Sequence, residues 1–274
     1  MSSTASGQTR IPEGSLVDLG VLVGLLLTDG CVSWSGRGWR ITFSGRSEEL
    51  HRIFKEKVNK LFGINRFSER VDNLNVKITS FKNKRVAEFL HQLTPTFRTK
   101  PFSNGEFPKV TIPVFFKQLS REELAEVLRA TFSADGAVVL GVKFHKTKKR
   151  WVFTRRISLA SVHPVLRDQI AELLREKFEM NPKIWKNEVV LDEKEDIIKF
   201  HKEIRFVDGV KISRKSKIWS GFEKNEILEL LIKTFELKKK DLEKFKSKEE
   251  IITFLKSFLT TPVSGADRVQ VSTG

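Results

Sequence analysis

LVGLLLTDG occupies residues 22–30 and LRATFSADG residues 128–136, with their aspartates 106 positions apart (135 − 29). Each stretch reads as an apolar helical run that stops at Asp-Gly. One such ending is ordinary, because Gly just past a helix accepts left-handed backbone at no steric cost. Two endings in matched contexts ask for more. A helix C-terminus carries partial negative charge, so a carboxylate there is unfavourable unless a cation or another partner compensates. The pairing suggests that Asp29 and Asp135 meet and share divalent metal.

Outward from these two runs, the chain repeats itself. Ser15 with Asp18, and Ser120 with Glu123, make the capping pattern that opens a helix. Residues 31–44 read as a hairpin turning at Gly36–Gly38, and 137–160 as a hairpin about ten residues longer with HKTKKR near its tip. Amphipathic helices follow, and sliding ITFSGRSEELHRIFKEKVNKLFGI by 116 lands on ISLASVHPVLRDQIAELLREKFEM. Second hairpins come at 65–80 and 182–192. An offset of 111 then lays FLHQLTPTFRTK (89–100) over FHKEIRFVDGVK (200–211), pairing Lys100 with Lys211. The drift in offset reflects loop length, which surface loops tolerate. The chain is therefore an internal duplication: a disordered start (1–14), a first half (15–100), a Pro-containing linker (101–119), a second half with C-terminal helices (120–259, helical from 212 onward) and a flexible tail (260–274).

Composition narrows the function. Lys and Arg exceed Asp and Glu by 50 to 34, and the bases run along the whole chain. A polyanionic partner explains this, since neutralising phosphates releases counterions. A single Cys31 excludes an internal disulfide and a cysteine-based zinc site, and the five histidines are scattered. With no tyrosine at all, tyrosine recombinases, topoisomerases and GIY-YIG nucleases are excluded. No apolar run reaches membrane-span length and the N-terminus lacks signal-peptide regions, so a soluble intracellular protein is expected, in a prokaryotic cytoplasm or an organelle matrix.

The two runs resemble the paired motifs of the single-chain LAGLIDADG homing endonucleases. Leu22, Gly24, Leu25, Asp29 and Gly30 match in the first copy, and Leu128, Ala134, Asp135 and Gly136 in the second, which departs at 129–133. The resemblance extends over roughly 16–235. It implies an α+β fold of two pseudo-symmetric αββαββα halves with antiparallel, saddle-shaped sheets, packed through the motif helices where Gly24 and Ala130 are small. It also implies Mg²⁺ or another divalent cation held by Asp29 and Asp135, a monomer, and a long asymmetric double-stranded DNA target cut as part of intron homing. A basic residue from each half near the scissile phosphate is a family feature. Lys100 and Lys211 are the candidates, since IRFVDGVK fits the family's I-G-F-x-x-x-x-K except for Arg205. Ser44 falls where a water-orienting polar residue is common.

Strand alternation supplies the DNA-facing set. Arg40, Thr42 and Ser44 alternate with Ile41 and Phe43, Asn75, Lys77 and Thr79 with Leu74, Val76 and Ile78, and Arg66, Ser68 and Arg70 continue that face. Ser33, Ser35 and Arg37 join it on the first hairpin, and Lys143, His145, Thr154, Arg156 and Ser158 are the second-half equivalents. These residue types read base edges and phosphates. KIWKNEVV (183–190) is too short to assign a face. The expected activity is metal-dependent, site-specific cleavage of both DNA strands. The alternatives are a non-cleaving intron RNA maturase or DNA-binding regulator of the same fold, which needs the basic surface without the acidic pair, and a basic RNA-binding protein indifferent to divalent metal.

Overall fold

A computed structural model describes residues 15–260. The expectations for 1–14 and for the tail beyond 260 lie outside the described residues. The first half runs α1 (Leu16–Asp29), β1 (Gly30–Trp34), β2 (Trp39–Gly45), α2 (Glu48–Phe62), β3 (Ser68–Val71), β4 (Lys77–Lys82) and α3 (Lys84–Leu93). The second repeats this order as α4 (Arg121–Asp135), β5 (Gly136–His145), β6 (Arg150–Ala160), α5 (Pro164–Phe178), β7 (Lys183–Trp185), β8 (Glu188–Leu191) and α6 (Lys194–Glu203). Helices α7 (Lys224–Lys233), α8 (Lys239–Glu243) and α9 (Lys248–Thr260) follow. Each half holds a four-stranded antiparallel sheet, ordered β1-β2-β4-β3 and β5-β6-β8-β7. The fold is α+β in two matching halves, joined by a segment with one short 3₁₀ turn (Val114–Gln118).

The motif helices α1 and α4 cross in the middle, and α1 is buried on nearly every side from Asp18 to Leu27. Small residues permit the crossing. A Cβ on Gly20 would stand 2.6 Å from Val127 Cγ2, and one on Gly24 would collide with Thr131 Oγ1. The backbones therefore approach through Gly20 and Gly24 against Val127 and Thr131, while Ala130 is buried beside them on α4.

The two helices start differently. Ser120 and Glu123 form the expected reciprocal capping box, but Ser15 makes no side-chain cap. Its supposed partner Asp18 is buried instead and paired with Lys57 at 2.5 Å and Lys60 at 2.6 Å. Lys57 also reaches Glu126 of α4 at 3.4 Å, so one α2 lysine ties both motif helices. Burial alone would raise the Asp18 carboxyl, but hydrogen bonds from Lys57 and Lys60 overcome it and hold the group below its ordinary value.

The helix ends also correct the sequence reading. Gly30 (φ −113°) and Gly136 (φ −87°) are extended, not left-handed. Glycine is needed there for another reason: a Cβ on Gly30 would lie 2.5 Å from Leu26 Cα, and one on Gly136 would strike the Phe132 carbonyl. Each chain turns straight from helix into strand, which is what brings the Asp beside the sheet.

The second half is the larger. Its β5–β6 hairpin is longer than β1–β2, and the C-terminal helices cover the additional inward surface. Trp219 Nε1 donates to Leu140 O at 2.7 Å, and Trp151 Nε1 to Phe245 O at 3.0 Å. Arg155 donates from Nε and Nη2 to Thr234 Oγ1 and O, both at 2.7 Å, with its guanidinium 4.7 Å from the Phe153 and Phe235 rings. Burial pushes this guanidinium down to about 10. Residues 212–223 are not the helix that their periodicity suggested: turns at Ser213–Ser216 and Gly221 (φ +86°) interrupt them, and helix begins only at Lys224. Among the described residues, no helix is long and apolar enough to cross a membrane.

Candidate active site and nucleic-acid face

Because α1 and α4 end side by side, Asp29 and Asp135 line one cleft of about 770 Å³. Thr96–Lys100, Ser33, Ala160, Ser161 and Asn187 share its lining. Both carboxyls are half-buried. Asp29 is pushed up to about 7, first by burial and then by repulsion from Asp135, with Lys224 pulling the other way. Burial likewise raises Asp135, against the pull of Lys224 and Lys100. Two carboxylates that repel each other in a partly desolvated cleft fit a divalent cation, whose charge would offset the repulsion. Among the described residues no group of three or more His, Cys, Asp or Glu could hold a metal, so water or a phosphate would complete the shell around this pair.

Lys100 is exposed at the cleft, within the electrostatic reach of Asp135. Lys211 is elsewhere: it is exposed on a bridge to Glu223 and does not line the cleft. The second-half lysine beside the aspartates is Lys224, at the start of α7. It is buried, and its ammonium donates to Ser133 O and Gly136 O, both at 2.7 Å. Burial pushes it down to about 8 against the opposing pull of Asp135 and Asp29. Sequence comparison missed it because the repeat ends before α7. A lone lysine ahead of an amphipathic helix looks like any surface base.

The second motif's departures are accounted for by the segment that closes over its end. Arg129 Nε donates to Ile204 O at 2.7 Å, Ser133 Oγ accepts from Val207 N at 2.7 Å, and Phe132 meets the Phe200 ring with centroids 5.0 Å apart. Arg205, where the family pattern has Gly, adopts φ +59°. That left-handed conformation is the one glycine tolerates freely.

The polar sheet face is only partly as expected. Opposite residues in an antiparallel pair share a face, and β2 pairs with β4 as Arg40 with Lys82, Thr42 with Ser80, and Ser44 with Ile78. The outward row therefore holds Arg40, Thr42 and Ser44 with Ser80 and Lys82. Ser33 lies opposite Arg40, and Ser68 and Arg70 lie opposite Ser80 and Ile78, which places all three on this face. Ser35 and Arg37 are exposed at the hairpin turn and Arg66 is exposed just before β3. Ser44 is half-buried and outside the cleft lining.

Lys77 and Thr79 face the other way. Thr79 sits opposite the core residue Phe43, is fully buried, and lies 2.7 Å from His51 Nδ1. Lys77 pairs with Glu48 at 2.6 Å. Asn75 is in the turn at φ +58°. The face expected for Lys77 and Thr79 is therefore corrected: a single residue of register decides which alternate set points outward, and here it is Ile78, Ser80 and Lys82.

In the second half Lys143, His145, Thr154, Arg156 and Ser158 share the outward face, since their neighbours Val142, Ile157 and Leu159 are buried. Ser158 is nevertheless buried itself, at 2% exposure. Pairing of Ala160 with Glu188 and of Glu188 with Trp185 places Trp185, Glu188 and Lys183 outward as well.

Residues 122–205 match the model of the LAGLIDADG-like domain. No curated protein matches the chain. Similar solved structures include I-DmoI in complex with DNA and Mn, 14% identical, covering 69% of this chain and 96% of that one with a TM-score of 0.46. Another is the homing endonuclease I-WcaI bound to its DNA recognition sequence, 14% identical, covering 74% and 86% with a TM-score of 0.45. A third is full-length DUF199/WhiA from Thermatoga maritima, 12% identical, covering 92% and 69% with a TM-score of 0.48. The match to the LAGLIDADG-like domain model thus spans residues 122–205, and the first half of the chain repeats the order of helices and antiparallel strands found there.

Proposed function

We propose that the protein is a site-specific DNA endonuclease of the homing type, hydrolysing one phosphodiester on each strand with divalent metal. The carrying observation is the placement of Asp29 and Asp135 in one cleft at the matched ends of two crossing helices. Asp29 and Asp135 would hold a divalent ion, which would supply an activated water and stabilise the leaving oxygen. Lys100, exposed at the same cleft, would stabilise charge developing on the phosphate. The outward sheet rows bind the duplex, and the net charge of +16 supports a polyanion. Since the chain already contains both halves, it needs no second copy to complete the pair, and a monomer acting on a long asymmetric target follows. Lys224 fixes the backbone on either side of Asp135 and so holds that carboxylate in place.

A non-cleaving role, as an intron RNA maturase or DNA-binding regulator, is the second reading. Lys224 favours it, since its ammonium offsets part of the acidic repulsion without any metal. The test is incubation with a library of insertion-site duplexes, with and without Mg²⁺, for the wild type, Asp29→Asn and Asp135→Asn. Cleavage that needs Mg²⁺ and both aspartates, with gel-shift binding intact in the variants, is expected. Binding without cleavage by the wild type would establish the second reading.

A further inference from the structure

Arg156 stands out among the outward-facing bases. Its side chain is only 26% exposed, and its guanidinium lies 5.2 Å from the centroid of the Trp185 ring. Ser158 and Val190, opposite each other in the register between Arg156 and Trp185, are both buried. Trp185 is itself 51% exposed, and Lys186 Nζ is 4.9 Å from the same ring. The indole is thus left half in water with two cations, Arg156 and Lys186, over its ring.

The guanidinium is held but not satisfied. Glu188 Oε2 is 3.6 Å from Arg156 Nη2, near enough to attract but too far for a hydrogen bond. Arg156 Nε and Glu188 Oε2 are both buried without a hydrogen-bond partner in the protein. Both atoms are covered by protein, so an incoming group would meet only the part of the guanidinium left in solvent. A phosphate would satisfy the arginine but would be repelled by the adjacent carboxylate. A base edge carries no net charge, and guanine offers two acceptors, O6 and N7, at the spacing of the guanidinium fork.

We propose that Arg156, held in plane by Trp185 and steered by Glu188, reads a guanine in the major groove, with Trp185 as its positioning residue. This deepens the DNA reading above and rests on it. At the equivalent first-half position the arrangement differs, since the outward Arg40 has Lys82 opposite it.

The test is binding-site selection from a randomised duplex library, run in Ca²⁺, for the wild type, Arg156→Ala, Trp185→Ala and Trp185→Phe. Wild-type protein should enrich G at one position in one half of the site. Arg156→Ala should lose that preference by about tenfold or more, with the other positions unchanged. Trp185→Ala should weaken preference at the same position, and Trp185→Phe, which keeps a ring, should restore it. A uniform loss of affinity in Arg156→Ala would mean a phosphate contact and overturn the proposal, as would a Trp185→Ala profile identical to the wild type. Failure of the wild type to select any duplex would overturn both this proposal and the DNA reading. Selection as expected but without cleavage in Mg²⁺ would sustain the base contact and remove only the nuclease activity.

Discussion

Lys224 donates its ammonium to the Gly136 carbonyl at 2.7 Å, and with its second bond to Ser133 it brackets Asp135. The end of the second motif helix is thereby fixed by a residue from outside the duplicated unit, whereas among the described residues no side chain donates to the matching carbonyls of Leu27 and Gly30.

Removing that bracket by Lys224→Met leaves two carbonyls without their charged donor. Hydrogen bonds to charged groups are worth about 1.5–3 kcal/mol each, and the relief of burying an ammonium offsets part of the loss. A net destabilisation of about 2 kcal/mol is expected in urea unfolding. A variant as stable as the wild type would show that burying the charge costs as much as its bonds return.

The acidic pair gives the apo-protein a pH signature. Asp29 has a folded value of about 7 against an ordinary 3.8, so its proton is held more tightly in the folded state. Its contribution to stability is present below pH 3.8 and is lost as pH rises through 7. Asp29→Asn, neutral throughout, should match the wild type near pH 4. It should be more stable by up to about 2 kcal/mol at pH 8 without metal, allowing for contact with solvent. Thermal melts at both pH values check this, and added Mg²⁺ should narrow the gap at pH 8.

The helix crossing makes a paired prediction. Gly24→Ala drives a methyl into Thr131 Oγ1 and should cost about 1–3 kcal/mol. Combining it with Thr131→Ala removes the colliding atom, so the double variant should be more stable than the Gly24→Ala single. Additive losses in denaturant unfolding would place the crossing elsewhere.

At Asp18, replacement by Ala leaves Lys57 buried beside Glu126 alone. Breaking a buried pair costs about 3–5 kcal/mol, and the exposure of Lys60 lowers the expected loss to about 3 kcal/mol. The lowered Asp18 value adds acid sensitivity: the wild type should lose this stability as pH falls below 3.8, and Asp18→Ala should lack that component. Urea titrations at pH 7 and pH 3 measure both.

The order of elements was legible because duplication presents every pattern twice: helix, hairpin, helix, hairpin, helix in each half. The aspartates were legible for the same reason. Where one copy had to be read alone, the reading slipped. Alternation along 74–79 does not say which set of side chains faces the core, and the pairing of Thr79 with Phe43 turns Lys77 and Thr79 inward. Arg129 and Ser133 looked like decay of a motif, and only the fold shows Ile204 and Val207 against them. Lys224 carried no local signal, because its role depends on carbonyls 88 and 91 residues away.

The C-terminal helices also bear on how such a chain could be taken apart. A graft of the second half that stopped with the repeat at Lys211 would leave behind Trp219, Lys224 and Thr234, and with them the partners of Leu140, Gly136 and Arg155. The two halves are thus not interchangeable parts. A chimaera needs its boundary beyond α9 to carry the second half intact.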